Sequence, residues 1–160
     1  LMRQEEREGR ESRRPSSGLA QVALRRRTIF PSREEMFNAY RRRPPFASWS
    51  EEALRAYVTY GTSVRADGQA ELKCPPGIEA QFYLAPQDVD FWEAVSRLRF
   101  PILLLHGSQS DRFVPTAPSI VRFRQMTGCQ MAQVPGGHFA VMEHPEEVAR
   151  RVEDFAAALG

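Results

Sequence analysis

A chain of 160 residues with a net charge of +2, 42% hydrophobic and 26% charged residues lies in the ordinary globular range, and one domain of this length buries roughly 70% of its unfolded surface. No apolar run approaches the ~20 residues that span a bilayer, so the expectation is a soluble protein without a membrane partner. The charge is too small to argue for a nucleic-acid partner: Arg25-Arg26-Arg27 and Arg41-Arg42-Arg43 lack interleaved aromatic residues and read as solvated faces beside helices.

Residues 1–18, with Glu5, Glu6, Arg7 and Glu8 and few apolar side chains, read as a disordered or frayed charged segment. The chain starts on Leu1 and not on methionine, which leads us to expect part of something longer. Two cysteines, Cys74 and Cys129, and the lack of a cationic-then-apolar leader point to a reducing, cytoplasmic setting.

From residue 19 to 86 the pattern is helical. Ala20, Val22, Ala23 and Leu24 suit a short helix ending near Pro31. Ser32 and Glu35 form a capping box for a second helix whose apolar face is Met36, Phe37 and Tyr40, and Pro44-Pro45 ends it. Ser50 caps a third, with Glu51 and Glu52 at the positive end of its dipole, Trp49 placed to staple against Leu54, a stripe of Leu54, Tyr57 and Val58, and Gly61 as the stop. Asp67-Gly68 offers a turn between two short extended pieces, and Pro75-Pro76 breaks the backbone again.

Residues 87–160 follow another grammar. Asp88 is read as opening a helix with Phe91, Trp92, Val95 and Leu98 at helical spacing, and Pro101 hands over to the continuous apolar run Ile102 to Leu105, the mark of a buried parallel strand. A helix from about Thr116 to Met126 with Gly128 as its stop, a strand from Met131 to Val134, and a last helix from Pro145 with Val148, Val152, Phe155 and Leu159 inward complete the order. Helix, strand, helix, strand, helix is the rhythm of an open parallel α/β sheet. Two strands leave unpaired edges, so further strands are expected from elsewhere.

In such sheets ligands gather at the carboxyl ends of the strands. His138 follows one strand across Pro135-Gly136-Gly137, a turn that leaves its ring uncrowded for base work. Asp111 follows the other strand in the loop His106-Gly107-Ser108-Gln109-Ser110, where a carboxylate can accept the imidazole N–H and fix the tautomer. Ser110 competes for that place with a weaker, neutral hydroxyl. His106, at a strand end, reads as a hydrogen-bonded structural histidine and His144 as an exposed one. Neither histidines nor cysteines cluster at metal-ligand spacing, so no metal is expected, and both thiols read as inert. The elbow G-x-S-x-G that would expose a nucleophilic serine is absent from the chain; Gly61-Thr62-Ser63 is an accidental match.

Pro101-Ile102-Leu103-Leu104-Leu105-His106-Gly107 through Val114-Pro115, with Gly137-His138-Phe139 and Glu143-His144-Pro145-Glu146-Glu147-Val148-Ala149, resemble the carboxyl-terminal half of α/β-hydrolase family proteins, and residues 19–86 resemble part of their helical cap. The resemblance implies a partial α/β-hydrolase fold: parallel strands with flanking helices, preceded by a cap segment. It implies an esterase-like hydrolase with His138 as general base and Asp111 as orienting acid, one place later than the family's usual acid position, which Ser110 occupies here. It implies an apolar substrate pocket shaped by Phe139, Met142, Phe37, Tyr40, Trp49 and Tyr57, a small apolar or ester-like substrate, and no cofactor. The nucleophile and oxyanion-hole half would precede Leu1, so the isolated chain is expected to be inactive, with that amino-terminal half or a second copy as candidate partner. The competing reading is a non-catalytic binding protein that retains part of the fold.

Overall fold

A computed structural model describes residues 17–85 and 90–160. The chain divides into two compact units, Leu1–Met36 with Thr59–Val89 and Phe37–Val58 with Asp90–Gly160. Most of the charged segment expected over residues 1–18, and Asp88, lie outside the described residues.

In the first unit, helix α1 (Ser17–Leu24) packs on helix α4 (Pro76–Leu84). Ala20, Ala23 and Ala80 form the contact with Tyr83 against it, because small side chains let two helices approach closely. Val22 and Leu24 of the same helix are exposed. Arg26 pairs with Glu79 at 2.8 Å across the same contact. Arg27 donates to the Ile29 carbonyl at 2.7 Å and lies 4.6 Å from the Phe30 ring centre, so two members of the first arginine triplet serve local structure.

Pro75-Pro76 does more than break the backbone: Pro76 occupies the first turn of α4, where its missing N–H is no loss. The turn at Asp67-Gly68 joins two antiparallel strands, β2 (Thr62–Val64) and β3 (Ala70–Leu72), with Gly68 at φ +81° and Asp67 Oδ1 accepting from the Gln69 amide at 3.0 Å. A third strand, β1 (Ile29–Phe30), pairs with β3 through Ile29↔Glu71 and Phe30↔Ala70. A two-residue strand whose partner lies forty positions away has no local periodicity to betray it. Buried Thr62 takes both its hydroxyl and carbonyl bonds from Arg33 at 3.0 Å.

Helices α2 (Arg33–Tyr40) and α3 (Glu51–Tyr60) form where expected. Ser32 Oγ accepts the Glu35 amide and Ser50 Oγ the Ala53 amide, each at 3.1 Å, while Phe37, Tyr40, Leu54 and Val58 are buried.

The second unit holds the parallel pair β4 (Leu103–Gly107) and β5 (Gln130–Val134), in register from Leu103↔Gln130 to Gly107↔Val134. Between them runs α6 (Pro118–Thr127), stopped by Gly128 at φ +64°, and packed against α5 (Phe91–Ser96). Asp90, not Asp88, caps α5, its carboxylate accepting the Glu93 amide at 3.0 Å. A short α7 (Ala140–Glu143) leads to α8 (Pro145–Ala157), which packs on both strands.

Two expectations are corrected here. The run Ile102 to Leu105 is half-buried and not fully buried, because β4 is paired along one edge, by β5, among the described residues. For the same reason the stripe of the last helix is only partly covered: Val148 and Phe155 are half-buried, while Val152 is 48% and Leu159 52% exposed. No described helix is long and apolar enough to cross a membrane.

Candidate active site

β4 and β5 end side by side at Gly107 and Val134, so the loops that follow start as neighbours. The Ser108 amide donates to the Val134 carbonyl at 2.8 Å and the Gln109 amide to that of Gly136 at 2.9 Å. Gly107 makes this approach possible: a Cβ there would run into the Gly137 carbonyl oxygen and lie 2.5 Å from that of Gly136. Gly136 sits at φ +100°, a left-handed conformation that side chains oppose, and a Cβ on it would meet the Glu143 carboxylate. Glu143 closes the turn, accepting from the Gly137 amide at 2.5 Å through Oε2 and from the Ser48 hydroxyl at 2.9 Å through Oε1. On this braced turn stands His138, exposed, its ring edge-on to Phe139 at 5.2 Å.

A cavity of about 250 Å³ adjoins it, lined among others by Ser110, Phe113, His138, Val141 and Val148. Asp111 is not in its wall. The Asp111 side chain is 82% exposed with the Arg112 guanidinium 3.9 Å away, and no hydrogen bond joins it to His138. The Ser110 amide turns back to the Gly107 carbonyl at 3.2 Å, so the next residue in this tight bend leaves toward solvent. Ser110 Oγ is buried without a hydrogen-bond partner. The structure thus places His138 and Ser110 on one cavity and leaves Asp111 outside it. His106 stacks on Phe113 at 4.7 Å, with Nδ1 3.3 Å from the Gly107 carbonyl oxygen.

The residues expected to shape a substrate pocket separate into groups. Tyr40, Trp49, Tyr57 and Phe139 belong to one ring cluster centred on Phe46, with Tyr40–Phe46 at 4.4 Å, Phe46–Trp49 at 4.9 Å, Phe46–Tyr57 at 5.4 Å and Trp49–Phe139 at 5.9 Å. Trp49 therefore meets rings; its Nε1 is buried and unpartnered. Phe37 lies apart, buried beneath the guanidinium groups of Arg55 at 4.2 Å and Arg41 at 5.5 Å. Met142 is half-buried, and its carbonyl accepts the Ser50 amide at 2.8 Å.

No protein-family model and no curated protein matches the chain. Solved structures do. A peroxisomal α/β-hydrolase from Saccharomyces cerevisiae superposes with a TM-score of 0.68 at 17% identity, over 86% of this chain and 38% of that one. E-2-(acetamidomethylene)succinate hydrolase gives 0.65 at 17% identity over 88% and 51%, and an α/β-hydrolase from Novosphingobium aromaticivorans 0.61 at 19% over 88% and 52%. The fold is that of the α/β-hydrolases. The chain spans about half the length, or less, of these structures.

Within an α/β-hydrolase fold the carboxyl ends of the parallel strands are where catalytic loops gather, and here both loops leave from that end. Two residues of the arrangement were not among the site residues expected from the sequence. Phe46 lies three positions before Trp49 across a 3₁₀ turn (Phe46–Ser48), whose threefold period puts both rings on one side. Glu143 is six positions past Gly137, and an acidic residue within reach of a glycine pair is the signal that was there to read.

Proposed function

We propose that the chain is the carboxyl-terminal, histidine-bearing part of a hydrolase that cleaves an ester or a related electrophile through an activated nucleophile supplied from outside these 160 residues. The observation that carries this is the glycine-braced turn that holds His138 at the carboxyl end of a parallel strand, beside a cavity. His138 takes the proton of the nucleophile and returns it to the leaving group. Asp111 is the carboxylate available to orient the ring once its loop turns inward from solvent. The cluster of Phe46, Trp49, Tyr57 and Phe139 forms the apolar side of the substrate site, which favours a small apolar or ester-like substrate, and this chemistry requires no cofactor.

The test has two arms. Alone, the chain is expected to give no turnover of a simple aryl ester; turnover abolished by His138→Ala would instead locate a nucleophile within it. Joined to the sequence encoded immediately before Leu1, it is expected to hydrolyse the ester and to lose about 10⁴-fold in kcat with His138→Ala. A loss below about tenfold there removes His138 from the role of base. A preceding sequence without a strand ending in a nucleophile elbow would favour the non-catalytic binding reading.

A further inference from the structure

We propose that Glu143 is a positioning residue, whose carboxylate clamps the Gly136-Gly137 turn to the segment carrying Phe46 and Trp49, so that His138 is held in its aim only while that aromatic segment is seated.

Both carboxylate oxygens are in use, one on the Gly137 amide at 2.5 Å and the other on the Ser48 hydroxyl at 2.9 Å. These are charge-assisted bonds, about twice as strong as neutral ones. The glycines make room for the group: a Cβ on Gly137 would stand 3.3 Å from Oε1, and one on Gly136 would fall on Oε2. Side-chain-free positions 136 and 137 and a carboxylate at 143 therefore form one device. Two further contacts run in parallel with the clamp, the Ser50 amide on the Met142 carbonyl at 2.8 Å and the Trp49 ring on Phe139 at 5.9 Å. The segment from Ser48 to Ser50 is thus tied at three points to the stretch that bears His138. A substrate that moves the aromatic rings moves Ser48 with them, and through Glu143 it moves the amide next to the base.

The inference rests on the reading of His138 as a base, but its test does not use turnover, so the two fail separately. Ring order of His138 and His106 is measured by ¹³C relaxation, and amide exchange at Gly137 and Gly128 by NMR, in the 160-residue chain. Glu143→Ala is expected to speed Gly137 exchange about 10- to 100-fold and to loosen the His138 ring, with His106 and Gly128 unchanged. Glu143→Gln is expected to restore both within about threefold, because its carbonyl still accepts from Gly137 and its amide donates to a reoriented Ser48 hydroxyl. Equal loosening at all four probes would reduce Glu143 to general stability and overturn the proposal, as would an unchanged His138 ring. Should Glu143→Ala not fold, Ser48→Ala, at an exposed position, tests the other end of the clamp. About threefold faster Gly137 exchange supports the coupling, and no change overturns it.

Discussion

The turn that bears His138 and the loop that bears Asp111 begin as hydrogen-bonded neighbours and end in opposite conditions. The first is braced from both flanks: Val134 and Gly136 are buried, two amides of the other loop donate to their carbonyls, and Glu143 accepts from the Gly137 amide. The second is held only as far as Ser110, after which Asp111 and Arg112 project into water. The turn that bears His138, built from backbone packing, keeps its shape from residues within this chain. Asp111 has no comparable bracing among the described residues, and beside it the Ser110 hydroxyl is buried without a hydrogen-bond partner.

That contrast can be broken most severely at its shared origin. Gly107→Ala forces a methyl group against the Gly136 and Gly137 carbonyls and is expected to lower the unfolding free energy by about 3 kcal/mol, the upper end for overpacking; urea denaturation measures it, and a loss under about 1 kcal/mol would show that the loops are not packed backbone to backbone. Val134→Ala, at a position 2% exposed, should cost about 2 kcal/mol in the same experiment. On the Asp111 loop the effects shrink and change sign. Ser110→Ala removes an unsatisfied buried hydroxyl and is expected to raise the melting temperature slightly, by the equivalent of up to about 1 kcal/mol. Asp111→Asn should leave stability within about 0.5 kcal/mol of the parent; a loss near 2 kcal/mol would reveal a partner for the carboxylate in solution and erase the distinction between the loops.

How much of this was legible in the sequence depended on the range of the cause. Gly128, Pro145, Ser32 and Ser50 act within one helical turn of themselves, and the ends they mark lie where their chemistry puts them. The glycine turn announced His138 because its φ requirement is local. The strand at Ile29, the turning of Asp111 to solvent and the docking of Glu143 on Gly137 all depend on partners distant in sequence or on which way one bend faces, and residue type alone does not set these. Helix α8 shows the same limit from the other side: its apolar period was readable, whereas the half-exposure of Val152 reflects what stands opposite it.

The chain has two tryptophans, and they occupy different settings. Trp92 lies under the Arg122 guanidinium at 4.2 Å, while Trp49 sits among Phe46, Tyr57 and Phe139. With Trp92→Phe, the remaining indole emission comes from Trp49 alone, adjacent in sequence to Ser48 and in ring contact with the neighbour of His138. The aromatic cluster thereby supplies a built-in optical probe: a ligand that unseats it shifts that emission to the red as water reaches the indole, with no label attached and no reaction required.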